Sequence, residues 1–308
     1  MHEGSRRAIF AALIANLGIA ISKIIAAVIT SSASMVAEAI HSLADTGNQG
    51  LLFLGGRRAR QPADTQHQFG YGAERYFWAF VVALVLFTLG SLFSLYEGIE
   101  KLRTPHTIES PAVAFVVLGV AVVLESFSLR TAIREAGEQR RGGWRAFIRH
   151  TKNPELPVVL LEDAGALAGL ALALIGLGLA VATDEPRYDA IGSLAIGLLL
   201  GVIAVVLAVE MKSLLIGESA TAEDQVLIER TITESPEVAS LIHLRTLHLG
   251  PEELLVAAKI DFAVLDAPAL ARAIDAVEVR LRAAVPTAAL IYLEPDLDRS
   301  FNPTSELS

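Results

Sequence analysis

Residues 34–55 read SMVAEAIHSLADTGNQGLLFLG, an apolar run that contains Glu38, His41, Asp45 and Asn48. About 20 predominantly apolar residues are enough for a helix to cross a bilayer. An ionisable side chain at the centre of such a helix costs roughly 2.5 to 3.5 kcal/mol on insertion scales, so several in one run need a functional reason. Their spacing of three, four and three residues places these four side chains on one narrow stripe of a helix. The run is therefore predicted to be a membrane helix with a polar stripe.

The composition of the whole chain agrees with a membrane protein. Its 308 residues are 53% hydrophobic and only 19% charged, with a mean hydropathy of +0.51. Soluble domains carry about 25% charged residues. A net charge of −9 without a basic patch argues against nucleic-acid binding, and the absence of cysteine excludes disulfides and thiolate metal ligands.

Six apolar runs bounded by charge are long enough to span a bilayer. They cover residues 8–29, 34–55, 76–96, 110–129, 164–183 and 190–209, and the fifth is expected to start nearer Leu156. No small-residue cleavage site follows the first run, so it is expected to stay as an anchor. The sequence predicts an α-helical membrane domain of six transmembrane helices over residues 1–210.

The distribution of Lys and Arg predicts the orientation of these spans. With the N-terminus in the cytoplasm, the inner segments hold thirteen of these residues and the outer loops hold three, Lys101, Arg103 and Arg187. Both termini are therefore expected in the cytoplasm of a multi-pass protein, with the bacterial inner membrane as the expected location.

Residues 211–308 differ in composition from the spans, with sixteen acidic and eight basic residues. Helical periodicity is predicted over 222–235 and 267–285, and strands over 242–249, 254–264 and 288–293. The order α-β-β-α-β indicates a cytoplasmic, ferredoxin-like α+β domain with a regulatory or dimerisation role. About 95 residues can bury a core of their own, helped by dimerisation.

The polar stripe suggests a metal site. His41 and Asp45 lie one helical turn apart and can reach one ion with an imidazole nitrogen and a carboxylate oxygen. The alternative is that they join helices by hydrogen bonds, for which Ser or Thr would suffice. Asp163 in the fifth span is the expected partner across the bundle, with Glu162 directly before it.

Four further acidic or amide residues have more than one possible role. Glu162 could instead face the loop or pair with Arg145 or Arg149. Glu125 in the fourth span could hold a ligand or relay protons, or extend toward Arg130 at the membrane surface. Glu38 and Asn48 are likewise candidates for supporting the ligands or for proton relay.

Three motifs carry a resemblance to a known family. They are SMVAEAIHSLAD over residues 34–45, FGYG over 69–72 and DAIGS over 189–193. In a six-span chain with an α-β-β-α-β tail, they resemble the cation diffusion facilitator family. The resemblance implies a homodimer that exports Zn, Mn, Fe or Co from the cytoplasm in exchange for protons. It also implies a tetrahedral transport site with two ligands from the second helix and two from the fifth.

The chain departs from that family pattern in the fifth helix, because Val159 stands where the first ligand of the pair is expected. Glu162 is the local replacement, and Asn16, Asn48, Glu125 or water are others. With one imidazole among oxygen donors, strict zinc selectivity is weakened and Mn, Fe or Co become plausible cargo.

A second departure lies in the tail, where family members often bind further zinc. Tyr292 occupies the position expected for a histidine ligand, with Glu294 at the acidic position. His243 and His248 are five residues apart on a predicted strand, face opposite sides and are not expected to chelate one ion together.

These observations predict proton-coupled efflux of a divalent metal, with zinc first among Zn, Mn, Fe and Co, by a protein that is not an enzyme and holds no prosthetic group. An intramembrane metalloenzyme is the weaker rival, because the sequence has no His-Glu-x-x-His or nucleophile motif. The other alternative is a membrane-anchored protein that senses or binds metal without transporting it.

Overall fold

The structure is a computed structural model, and it describes residues 3–30, 33–104, 111–140, 143–263 and 266–298. The helices are α1 (Glu3–Thr30), α2 (Ala33–Arg58), α3 (Glu74–Val85), α4 (Leu92–Arg103), α5 (Pro111–Gln139), α6 (Trp144–His150), α7 (Glu155–Thr183), α8 (Arg187–Ile216), α9 (Ala222–Thr233) and α10 (Ala267–Ala284). The strands are β1 (Val238–Gly250), β2 (Glu253–Phe262) and β3 (Ala288–Pro295).

These elements form two compact units. The helical unit comprises Met1–Arg60 and Glu74–Lys212, and the C-terminal unit comprises Gln61–Ala73 and Ser213–Ser308. The segment between α2 and α3 therefore belongs to the C-terminal unit, which the sequence analysis did not anticipate.

Among the described residues, four segments are long and apolar enough to cross a membrane. They are Glu74–Arg103, Pro111–Glu138, Glu155–Thr183 and Arg187–Ile216, and α1 contributes the shorter apolar stretch Ile9–Ile25. The chain is thus a multi-pass membrane protein, whereas the count of six spans stays a prediction. The fifth predicted span begins at Glu155, close to the expected Leu156.

Small residues allow the helices of this unit to approach closely. The buried face of α1 is rich in alanine, and α1 packs against α2 and α5, while α5 packs against α7. A Cβ atom added to Gly165 would lie 2.5 Å from the Ile203 side chain, and one added to Gly197 would lie 2.8 Å from the backbone nitrogen of Leu95. Glycine at these positions therefore permits the contacts of α8 with α7 and α4, a close-packing role typical of membrane helices.

The third predicted span is not a continuous α-helix. A π-helical turn over Leu86–Ser91 separates α3 from α4. The Ser91 hydroxyl at its end donates a hydrogen bond of 2.7 Å to the carbonyl of Gly197 in α8. The last residue of the π-helical turn is therefore hydrogen-bonded directly to the backbone of α8.

The C-terminal unit has the predicted order α9-β1-β2-α10-β3. Its sheet has the strand order β1-β2-β3, with an antiparallel pair β1-β2 and a parallel pair β2-β3. Alternate residues of β2, from Leu254 to Phe262, are buried. They pack with Ile228 and Ile232 of α9 and with Val277 and Leu281 of α10 in one core.

The two histidines of β1 lie on opposite sides of the sheet, as the sequence predicted. His243 is exposed and pairs with Lys259, whereas His248 is buried and pairs with Leu254. Side chains an odd number of residues apart on a strand point to different faces, and the two histidines are five residues apart. The exposed Tyr292 of β3 lies on the same face as His243, the outer face of the sheet, which points away from the core.

The segment Gln61–Ala73 is ordered by its own side chains. The Asp64 carboxylate accepts hydrogen bonds from the backbone nitrogens of Gln66 and His67 and from the Tyr71 hydroxyl at 2.6 Å. The Tyr71 hydrogen bond and the backbone bonds lower the pKa of Asp64. A Cβ atom on Gly72 would lie 2.8 Å from the carbonyl oxygen of Leu249, so glycine is required where this segment meets the end of β1.

Candidate metal site

Glu162 is buried in the helical unit and faces α2. The Asn48 side-chain nitrogen donates a hydrogen bond of 3.1 Å to its Oε1, and the Gln49 side-chain nitrogen donates one of 2.7 Å to its Oε2. All three side chains are at most 6% exposed. The alternatives that Glu162 faces the loop or pairs with Arg145 or Arg149 are therefore replaced by a contact with two amides of α2.

Asp163, the next residue of α7, faces a different helix. Its Oδ2 accepts a hydrogen bond of 2.6 Å from the Ser128 hydroxyl of α5, and Asp163 is 1% exposed. Successive residues on a helix point about 100° apart, which explains why neighbouring carboxylates reach different neighbours. The α7 helix thus places two buried carboxyl groups toward α2 and α5 at one level.

Glu125 lies one helical turn before Ser128 and is 5% exposed. This low exposure argues against the alternative that it extends toward Arg130, because a carboxylate at the membrane surface would be solvated. Glu125 remains a candidate for supporting the ligands or relaying protons.

The remaining predicted ligands are only partly described. Glu38, His41 and Asp45 lie on α2, but their side chains are outside the described part of the structure. Val159 is completely buried on α7, one turn before Asp163, and Asn16 is a buried polar residue of α1. Among the described residues, no three His, Cys, Asp or Glu side chains are grouped closely enough to hold a metal.

A buried ion pair near the start of α3 and α7 was missed by the sequence reasoning. Arg75 donates through Nε and Nη2 to the two carboxylate oxygens of Glu155, the second at 2.7 Å, and Nη2 lies 3.4 Å from Oδ1 of Asn153. Both charged side chains are at most 3% exposed. The sequence signals this ion pair only through position: Arg75 directly precedes the third predicted span, and Glu155 directly precedes the expected start of the fifth.

Gln49 and Ser128 were also missed as partners of the α7 carboxylates. Ser128 lies three residues after Glu125 and Gln49 lies four residues after Asp45, so helical spacing could have placed each on a polar stripe. Which stripes meet across helices is not encoded in that spacing.

The chain matches a family model and several curated proteins. Residues 9–216 match the cation efflux transmembrane domain. The human protein named proton-coupled zinc antiporter SLC30A9, mitochondrial, is 33% identical over 243 residues, which are 78% of this chain and 43% of that protein. Metal tolerance protein C4 of Arabidopsis thaliana is 33% identical over 236 residues, which are 76% of this chain and 52% of that protein.

The chain thus spans about half or less of these two relatives. It covers more of the cation-efflux pump FieF of Cronobacter sakazakii, with 30% identity over 253 residues, 82% of this chain and 79% of that protein. The family model covers more than half of the chain, and these relatives are named for cation transport or metal tolerance. The chain therefore belongs to the cation diffusion facilitator family of cation transporters and is not an enzyme.

Proposed function

We propose that this protein exports a divalent metal ion from the cytoplasm in exchange for protons, with zinc as the first candidate and Mn, Fe or Co as the others. The observation that carries the proposal is the adjacent pair of buried carboxylates on α7, Glu162 and Asp163, which face α2 and α5. Buried carboxyl groups within membrane helices are costly and mark ion or proton pathways.

The contact between Asn48 and Glu162 supports a site that includes α2. Asn48 shares a helical stripe with His41 and Asp45, and it lies 3.1 Å from Glu162 on α7. A stripe that meets α7 at Asn48 is expected to continue along the same interface toward the start of α2, where Asp45 lies one turn and His41 two turns before Asn48. We therefore assign His41, Asp45 and Asp163 as ligands, with Glu162 as the candidate for the fourth.

This ligand set has a consequence for coupling. Ligands must shed protons before they bind a metal, so uptake of the ion releases protons and rebinding of protons releases the ion. Histidine is the side chain whose unperturbed pKa lies closest to neutral pH, so His41 is the ligand we propose for proton exchange. Two of the similar proteins are named for zinc antiport and cation efflux, which is consistent with export driven by a proton gradient.

We further propose that the protein is a homodimer in the bacterial inner membrane with both termini in the cytoplasm. The excess of Lys and Arg in the inner segments supports this orientation. Cross-linking of single cysteines introduced on the outer face of the sheet, for example at Tyr292, would test the dimer, since the chain has no cysteine of its own.

The test of transport is uptake by everted membrane vesicles under an imposed proton gradient, with Zn, Mn, Co and Fe measured in parallel. Asp45→Ala and Asp163→Ala are compared with the wild type and with Asp275→Ala, which changes an exposed acidic residue of α10. Proton-dependent uptake of one ion, lost in the first two variants and kept in the third, is expected. Absence of uptake with retained metal binding would instead favour a sensing or binding protein that lacks transport.

A further inference from the structure

The Glu162 carboxylate is held by two amides from one turn of α2. Gln49 donates to Oε2 at 2.7 Å and Asn48 donates to Oε1 at 3.1 Å, so each carboxylate oxygen has its own donor. Gln49 is completely buried and Asn48 is 2% exposed. Because the two oxygens accept from two different side chains, this pair of donors fixes both the position and the plane of the carboxyl group.

The orientation of both amides depends on Glu162. Their other ends, Asn48 Oδ1 and Gln49 Oε1, are buried acceptors without a hydrogen-bond partner among the described residues. A buried acceptor left without a partner destabilises a fold, so the arrangement needs a compensating contact. That contact is the hydrogen bond that each amide nitrogen donates to Glu162. If either amide turned around, this hydrogen bond would be lost and its carbonyl oxygen would lie against a carboxyl oxygen of Glu162.

Gln49 and Asn48 also sit next to the proposed ligands along the chain. Asn48 is three residues and Gln49 four residues after Asp45, so both lie one helical turn after this ligand and on the same side of α2. On the other side, Glu162 lies beside Asp163 and three residues after Val159, where the family pattern expects a ligand. The two amides thus join the part of α2 that carries Asp45 to the part of α7 that lacks a donor.

We infer that Gln49, together with Asn48, is a positioning residue that holds Glu162 as the oxygen donor replacing the ligand missing at Val159, and thereby sets the preference among divalent ions. This inference rests on the proposed transport function. Residues that hold a ligand in place are nearly as important as the ligand, and their loss typically lowers metal affinity or activity 10- to 100-fold. A carboxylate in place of an imidazole also reduces the advantage of Zn over harder ions such as Mn.

The experiment measures KM and maximal rate for Zn and Mn uptake in vesicles, in the variants Gln49→Met, Glu162→Gln and the double variant. Gln49→Met keeps the size of the side chain and removes its donor. We expect the KM of Gln49→Met for the preferred ion to rise about 10- to 100-fold, with a changed ratio between Zn and Mn. In the Glu162→Gln background, Gln49→Met should add no further change, because it acts through that carboxylate.

Two controls make the result specific. Asn48→Leu removes the other donor and is measured in parallel, so the test does not depend on the folding of one variant. Gln225→Met removes a 3.1 Å amide-to-carboxylate hydrogen bond to Glu229 in α9 and should leave KM unchanged. Size-exclusion profiles report whether each variant is folded.

The outcomes separate this inference from the proposed function. Wild-type uptake with unchanged KM and unchanged ion preference in both amide variants would overturn the inference alone. Effects of Gln49→Met and Glu162→Gln that multiply in the double variant would also overturn it, because they would be independent. Absence of uptake of every ion by the wild type would overturn the proposed function and this inference together.

Discussion

Arg75→Met is expected to destabilise the helical unit by about 3 to 5 kcal/mol, because it leaves the carboxylate of Glu155 buried without its partner. The magnitude follows from the structure: both side chains are at most 3% exposed, and the guanidinium engages both carboxylate oxygens. For a unit of this size, about 2 to 4 °C is lost per kcal/mol, so the melting temperature should fall by about 6 to 20 °C.

Tryptophan fluorescence of the purified protein in detergent during heating measures this loss, since both tryptophans of the chain lie in the helical unit. The double variant Arg75→Met, Glu155→Met removes both charges and should recover most of the stability. Arg149→Met is the matched control, because Arg149 is 55% exposed with its Nε 3.9 Å from Oε1 of Glu210, and such a surface pair contributes at most about 1 kcal/mol. A double variant as unstable as Arg75→Met would refute the reasoning.

Three further predictions concern packing, capping and pH. Gly197→Ala should lower the melting temperature because its Cβ would press on the backbone of α4, whereas Gly119→Ala, with nothing within 4 Å, should not. Asp266→Ala removes the side chain that caps α10 and should cost about 1 kcal/mol in urea unfolding monitored by circular dichroism. Because the folded pKa of Asp64 is lowered, its stabilisation of residues 61–73 is complete above the usual aspartate range. It is lost as the pH falls through the folded pKa, which hydrogen exchange of the amides in this segment should report.

The C-terminal unit was the most predictable part of the fold. Alternation along β2 and the stripe on α10 are local signals, and they placed each element within a few residues of its observed bounds. Strands β1 and β3 extend beyond their predicted ends, since pairing continues past the apolar residues as far as Gly250 and Pro295, whereas β2 ends at Phe262, before the predicted end at residue 264.

The helical unit was predictable in its apolar runs but not in its interruptions and contacts. No local pattern separates the π-helical turn at Leu86–Ser91 from the α-helix around it. The short basic helix α6 was missed because a seven-residue segment carries too few turns for a periodic signal. Within the candidate site, ionisable residues in the fifth apolar run made Asp163 and Glu162 candidates, but their partners Ser128 and Gln49 depend on which helices pack together.

The assignment of Gln61–Ala73 to the C-terminal unit changes how the two units are joined. A domain appended to the end of a chain is held by a single linker and can rotate about it. Here the backbone crosses between the units three times, after Arg60, after Ala73 and after Lys212. Three backbone connections leave fewer free rotations than one, and two of the three lead directly into the ends of α2 and α3. The helix that carries His41 and Asp45 is therefore joined to the C-terminal unit directly through its own C-terminal end.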